Sequence, residues 1–275
     1  MSFLETLKVI ILGIVEGITE WLPISSTGHM LLVDEFFKLK ATDEFKELFF
    51  VVIQLGAIMA VILMFWKKMW PFSTSSGKIA VKKDIFSIWI KVVVACIPGA
   101  VATLLFDDYI EEHFHTPLII ALALIVYGVG FILVENFNKK RITSNTSIYN
   151  ITYKSALIIG LFQVLSIIPG TSRSGSTIIG ALIIGLSREV AAEFTFFLAV
   201  PVMFGWSFLK LIKFGLAFSL TEILILVLGM VVAFLVSVVV IKFLMGYIKK
   251  HDFKVFGWYR IILGAIVLLY FCLLK

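Results

Sequence analysis

Charge is what this 275-residue chain has least of: 15% of its residues are Asp, Glu, Lys or Arg, against 60% hydrophobic. With a mean hydropathy of +1.06, that balance excludes an ordinary soluble domain and points to a protein crossing the bilayer several times. Cysteine is nearly absent. Cys96 and Cys272 sit in separate apolar segments, so they form no disulfide framework and leave the redox compartment open. No cleavable signal is expected either, because Glu5, Lys8 and Glu16 interrupt the first apolar stretch and no small-residue cleavage site follows it. The formal charge is +6, yet the basic residues cluster between apolar runs. That is the pattern of topology determinants and head-group contacts, and it sets nucleic acid aside as a partner.

Against this background the polar residues stand out. Glu16-Gly17-Ile18-Thr19-Glu20 is followed closely by Pro23-Ile24-Ser25-Ser26-Thr27-Gly28-His29. Ionisable groups at membrane depth are expensive and usually face a cavity. Glu16 and Glu20, four apart, share one helix face. Pro23 ends that helix, and Ser25, Ser26, Thr27 and Gly28 then offer hydroxyls and free N–H groups at the start of a second one. Helix starts of this kind bind anions.

Residues 1–33 are therefore read as a helix–break–helix that dips into the bilayer and returns, and 34–47 as a mixed-charge loop. Leu48–Trp66, with Gln54 inside, is long enough to span. A Lys-bearing loop, 67–85, leads to a second span at 86–106 with a kink at Pro98-Gly99. The next loop, 107–116, holds Asp107, Asp108, Glu111 and Glu112 without Lys or Arg. A third span covers Pro117–Val134 and ends in a basic loop with Lys139, Lys140, Arg141 and Lys154. A second interrupted segment, 155–187, surrounds Pro169-Gly170-Thr171-Ser172-Arg173-Ser174-Gly175. Further spans lie near 194–212, 221–242 and 255–274, with Lys249, Lys250 and Lys254 between the last two. Counting Lys and Arg places the basic loops in the cytoplasm and the acidic loop and both termini outside.

A shift of 146 residues lays Pro23–Thr27 over Pro169–Arg173, and Glu47–Phe50 over Glu193–Phe196. Each half would then contain one re-entrant hairpin and three crossings. Because three is odd, the halves would be inverted, with the hairpin tips meeting at a midplane site. The expected fold is an all-α polytopic membrane protein of six transmembrane helices and two re-entrant helix–break–helix segments. It forms one integral domain over 1–275, with repeat halves of about 1–140 and 147–275.

The chemistry follows from those two tips. Arg173 lies amid Thr171, Ser172, Ser174 and Ser176, and a guanidinium among hydroxyls and N–H donors suits phosphate oxygens. The blander alternative is a snorkelling arginine. Glu16 and Glu20 together could hold a hard divalent cation completed by water and phosphate, or serve as neutral acids or proton carriers. His29, three residues past Ser26, can move a proton near neutral pH or attack phosphorus. Gln54 reads equally as a site hydrogen-bonder or as helix–helix glue, and Arg260 reads as snorkelling. The tryptophans read as interface anchors or packing. Together these groups suggest phosphoryl transfer from a lipid-linked phosphate. A competing reading is an inverted-repeat transporter, or a lipid-phosphate flippase, with the acids as ion sites.

The two motifs resemble those of the bacterial undecaprenyl-diphosphate phosphatases, the bacitracin-resistance family. The likeness extends to length, segment order and the stretch Val52-Ile53-Gln54-Leu55-Gly56; Trp21 stands where the family often has Phe. The resemblance implies an inner-membrane enzyme, open to the outer or periplasmic face, that removes the terminal phosphate of undecaprenyl diphosphate. It thereby recycles the lipid carrier for peptidoglycan synthesis. Dependence on a divalent cation, Mg or Ca, is implied as well. Family roles fall on Glu16 and Glu20 for metal or base, Ser26 and His29 for attack and proton transfer, and Arg173 for the diphosphate. Ser25, Thr27, Gly28, Thr171, Ser172, Ser174 and Gln54 complete the expected substrate contacts. Partners would be the polyprenyl diphosphate, the membrane and, as an open alternative, a second copy of the chain in a homodimer. Spacing leaves the nucleophile undecided between Ser26 and His29; Ser26, with His29 assisting, is preferred.

Overall fold

A computed structural model of the protein describes residues 2–75, 78–138, 147–215 and 217–271. The first half comprises α1 (Phe3–Thr19), α2 (Ser26–Phe36), α3 (Asp43–Met69), a hairpin of β1 (Phe72–Ser75) and β2 (Lys78–Val81), α4 (Lys83–Phe114) and α5 (Pro117–Asn138). The second comprises α6 (Tyr153–Val164), α7 (Arg173–Ile183), α8 (Arg188–Phe214), α9 (Leu220–Ile248) and α10 (Lys254–Leu269). Helix starts are written into the sequence. Ser2, Thr42, Thr152, Ser187 and Ser219 each accept the backbone N–H three residues on, satisfying a donor the helix itself leaves orphaned.

Helices α3, α4, α5, α8 and α9 are long and apolar enough to cross a membrane. The expected sixth span is α10, which has 16 residues; Cys272, near its expected end, lies outside the described residues. Helices α2 and α7 have 11 residues each. At 1.5 Å per residue they reach about 17 Å, against a hydrocarbon core of about 30 Å. Such helices are too short to cross it.

Several expected boundaries shift. The 34–47 loop shrinks to the residues between Phe36 and Asp43. The acidic stretch 107–112 is not loop; it extends α4 to Phe114. Pro98 lies inside α4 without ending it. Gly99 beside it leaves room for Gln163 of α6, whose Nε2 would lie 2.8 Å from an added Cβ. The Lys-rich loop contains the β1–β2 hairpin, pairing Phe72 with Val81 and Ser75 with Lys78. The basic stretch Lys139–Arg141 lies outside the described residues.

Equivalent helices of the two halves run antiparallel. Lys68, at the end of α3, pairs with Glu193 near the start of α8, while Lys210, near the end of α8, pairs with Glu47 near the start of α3. Helices α5 and α10 cross likewise. A Cβ on Gly128 would sit 2.6 Å from the Gly257 carbonyl oxygen, and one on Gly264 2.8 Å from that of Ala121. The remaining packings exchange under the same operation: α1 lies on α9 as α6 lies on α4. Both contacts use small residues, since Cβ atoms on Gly17 and Gly160 would fall 2.8 and 2.4 Å from the carbonyl oxygens of Ala233 and Ala95. Within lipid there is no hydrophobic gain from helix association, so close backbone approach carries it. One buried ion pair adds to this. Arg188 grips Glu135 through Nε and a terminal nitrogen at 2.9 and 2.6 Å, and Glu135 also accepts the N–H of Phe253, tying α5 to the starts of α8 and α10.

The tightest approach is at Gly56, where a Cβ would lie 2.1 Å from the Met230 carbonyl oxygen. Gly56→Ala should cost at least about 1–3 kcal/mol. At Gly246, where nothing lies within 4 Å, alanine should be neutral or slightly stabilising. Thermal unfolding of both variants in detergent checks the pair, and equal midpoints would deny the close packing of α3 on α9.

Candidate functional site

The site is built from two chain breaks of the same design. Helix α1 ends at Thr19, with Glu20 as its C-cap; α2 then starts after Ser25, and α7 after Ser172. Ser25 and Ser172 have φ of 72° and 71°, and among the described residues they are the only non-glycine residues with positive φ. Such a conformation costs on the order of 1–3 kcal/mol and persists where surrounding contacts impose it. Here each serine's Oγ accepts the N–H of the glycine three residues on, Gly28 at 3.3 Å and Gly175 at 3.2 Å. The structural equivalence is therefore Ser25 with Ser172, a shift of 147, one residue more than direct alignment of the prolines gives. It also makes Ser26 and Arg173 counterparts, each the first residue of its short helix.

Both counterparts converge on one carboxylate. Ser26 Oγ donates to Glu20 Oε2 at 3.1 Å, and the Arg173 guanidinium donates to Glu20 Oε1 at 2.9 Å. The pair is shielded, with side-chain exposures of 12% for Arg173 and 8% for Glu20, so its attraction is far less screened than that of a surface pair. Ser174 Oγ adds a bond to the Glu20 carbonyl at 3.3 Å. Two polar atoms next to this knot are buried without a partner among the described residues: Arg173 Nη1 and Glu16 Oε1. A buried unpaired donor beside a buried unpaired acceptor is costly unless a ligand completes both. One calls for an anion, the other for a cation or proton.

The other expected residues divide. Ser172 Oγ lies 3.2 Å from Ser174 Oγ, within the knot. Thr171 is buried but turned to its own break, donating to the carbonyls of Leu165 and Ile168. Thr27 and Gln54 are half-buried and make no hydrogen bond among the described residues. Gln54 lies on α3, and its side chain has no polar partner among the described residues. His29 is not bonded to Ser26. Its Nδ1 is 2.7 Å from the Ser25 carbonyl and its Nε2 2.7 Å from the Tyr259 hydroxyl.

Arg260 corrects the expectation of a snorkelling side chain: it is fully buried. Its guanidinium donates to the Pro23 carbonyl at 3.3 Å and to those of Gly170 and Thr171 at 2.9 Å each. One side chain on α10 therefore fastens both breaks together, with its charge over the Tyr127 ring. Its position gave little warning, because an arginine two turns into the last apolar run reads first as an interface residue. Trp21 is buried packing, edge-on to Phe196 with centroids 5.4 Å apart.

A divalent cation fits this donor set only in part. Among the described residues no three His, Cys, Asp or Glu side chains gather as a metal cage. The orphaned Glu16 oxygen and the Glu20 carboxylate would supply two anionic ligands, leaving the remaining positions to water and phosphate oxygens, as Mg²⁺ sites on phosphate substrates often do.

Known proteins resemble the chain over nearly its whole length. A family model described as "Bacitracin resistance protein BacA" matches residues 9–266. The chain is 66% identical over 270 residues to a protein of Enterococcus faecalis named undecaprenyl-diphosphatase, covering 98% of each chain. It is 62% identical over 268 residues to one of the same name from Acetivibrio thermocellus, again covering 98% of each. A third, from Lachnoclostridium phytofermentans, shares 61% identity over 275 residues and the full length of both chains.

Proposed function

Because the chain belongs to the BacA family of bacitracin-resistance proteins, we infer that it is an undecaprenyl-diphosphatase. It is a multi-pass membrane enzyme that hydrolyses undecaprenyl diphosphate to undecaprenyl phosphate and inorganic phosphate, returning the carrier to cell-wall synthesis. The observation that carries the assignment to this site is the bridge at Glu20, where Ser26 from one break and Arg173 from the other meet on one carboxylate.

In the proposed mechanism the terminal phosphate enters between the breaks. Arg173 turns its unpaired Nη1 to a phosphate oxygen, and the N-termini of α2 and α7 present backbone N–H groups to the same anion. Ser26 Oγ attacks phosphorus while its proton passes to Glu20 Oε2, already its acceptor. The bond from phosphorus to the bridging oxygen breaks, and undecaprenyl phosphate leaves as a stable anion that needs little help from an acid. Water then cleaves the phosphoserine, His29 Nε2 taking the water's proton and Glu20 returning its own to the departing Ser26 Oγ, which gives inorganic phosphate and restores both Ser26 and the Glu20 carboxylate. A divalent cation held by Glu16 and Glu20 would neutralise charge on the phosphate oxygens. Glu20, not His29, is the base for Ser26, which refines the expectation that His29 assists the attack. Arg260 touches neither reactant and acts by holding the breaks in register.

Orientation rests on the Lys-rich helix ends: Lys67 and Lys68, Lys249 and Lys250 belong in the cytoplasm of a bacterial inner membrane, with both termini outside. The site opens to the outer face, where spent carrier diphosphate arises.

Detergent-purified protein should release inorganic phosphate from undecaprenyl diphosphate. Chelation should silence it, and Mg or Ca should restore it. No release by folded, metal-supplied protein would overturn the enzyme reading, all the more if sealed vesicles showed flux without hydrolysis. Activity indifferent to chelators would remove the metal role from Glu16 and Glu20.

A further inference from the structure

His29 is held at both nitrogens, and the holding group on the far side comes from a helix 230 positions away. A carbonyl oxygen carries no proton, so the Nδ1 that lies 2.7 Å from the Ser25 carbonyl must be the protonated nitrogen. In the neutral ring Nε2 is then a lone pair, and among the described residues the group on it is the Tyr259 hydroxyl at 2.7 Å, which donates. The two rings lie within 6° of parallel. Tyr259 is 44% exposed, on the outer face of α10 together with Trp258 and Ile262, so the His29–Tyr259 contact forms the bilayer-facing edge of the site. Arg260 next to Tyr259 points the opposite way, into the breaks. Successive residues of α10 thus serve the two sides of the same centre.

We propose that Tyr259 is a positioning residue for His29. Its hydroxyl fixes the imidazole with Nε2 as the basic nitrogen and parks that nitrogen at the rim, where an arriving diphosphate head group or its attacking water displaces the phenol. The proposal rests on the phosphatase reading for its catalytic meaning, while the geometry it describes stands independently of turnover. Among the described residues no other titratable side chain is hydrogen-bonded to the ring. Helix α10 also brings Arg260, which is bonded to the Pro23 carbonyl two residues before Ser25. The α1 end brings Glu16 and Glu20, the latter engaged by Ser26 and Arg173, and α5 brings Tyr127, beneath Arg260.

The test is Tyr259→Phe, which keeps the ring and removes the donor. A hydroxyl donating to Nε2 favours the uncharged imidazole, so its loss lets the ring hold its proton to higher pH. With a net value of about 0.5–1.5 kcal/mol for such a bond, the acid limb of the pH–rate profile should move upward by about 0.4–1 unit. Turnover near neutral pH should fall about 2–10-fold. A second readout needs no turnover: the His29 ring followed by NMR in isotope-labelled protein, identified by the signal missing from His29→Gln. Its titration midpoint should rise in the Phe variant by the same amount. A midpoint and profile that superimpose on the wild type would overturn the proposal, even in a fully active enzyme. Conversely, a shifted midpoint in a protein that releases no phosphate would uphold the contact and sink the phosphatase reading instead. Should the Phe variant fail to fold, 3-fluorotyrosine at 259, a stronger donor, must move the midpoint the other way, and no movement would overturn the proposal equally.

Discussion

Arg173→Ala is expected to lower phosphate release from undecaprenyl diphosphate by about 10³-fold or more, with the protein still folded. Removing one preorganised donor from a transition-state anion costs about 2.7–4 kcal/mol in other enzymes, or 10²–10³ in rate. Here the lost group is a full charge in a shielded site. Its loss also leaves the Glu20 carboxylate, which now binds the guanidinium at 2.9 Å, without its cation. Breaking a buried pair from one side costs about 3–5 kcal/mol, so a lower thermal midpoint should accompany the lost activity. Arg173→Lys should recover part of the charge but not the two-sided reach, by which one nitrogen meets Glu20 and the other lies free for phosphate. The comparison of kcat with thermal midpoint separates chemistry from folding. Near-normal release by a well-folded alanine variant would contradict the assignment.

The second large effect separates the two candidate nucleophiles. Ser26→Ala should abolish turnover to background, because it removes the atom that attacks phosphorus. His29→Gln should slow it by about 10²–10⁴, the usual contribution of a positioned proton acceptor. The two variants should also differ in kind. With a substrate carrying labelled terminal phosphate, His29→Gln should accumulate acid-stable phosphoserine, since attack proceeds and hydrolysis stalls. Ser26→Ala should trap nothing. Acid-labile phosphohistidine in the serine variant would reverse the roles. The proposed roles rest on hydrogen bonding: the Ser26 hydroxyl donates to Glu20 at 3.1 Å, while both His29 nitrogens are engaged elsewhere.

Much of this site could be read along the chain, for reasons that are local. Pro23 and Pro169-Gly170 forbid continuous helix, so the breaks announce themselves, and carboxylates or an arginine in apolar surroundings demand partners. Glu20, Ser26 and Arg173 stand out in the sequence for that reason. What stayed hidden depends on contacts distant in sequence. Arg260 binds backbone carbonyls 237, 90 and 89 residues away, and carbonyls carry no sequence signature. Tyr259 is an ordinary aromatic on a lipid-facing helix until α2 brings His29 against it. Thr171 looked like a ligand because its type and neighbours suit phosphate, yet its hydroxyl closes its own turn. The second break holds one residue more between its proline and its positive-φ serine, Pro169 to Ser172 against Pro23 to Ser25, which spacing between prolines could not reveal. Hydropathy likewise located the spans but not their ends, because an acidic helix extension such as 107–114 and an acidic loop have the same composition.

The most direct test is a structure of the protein with a non-hydrolysable polyprenyl methylenediphosphonate. Its terminal phosphonate should lie within hydrogen-bond reach, about 3 Å, of Arg173 from one break and of Ser26 from the other, with Glu20 between them and Arg260 still fastening the two turns. A head group gripped by a single hairpin, with Glu20 and Arg173 apart from each other and from the phosphonate, would contradict the convergence on which the mechanism depends.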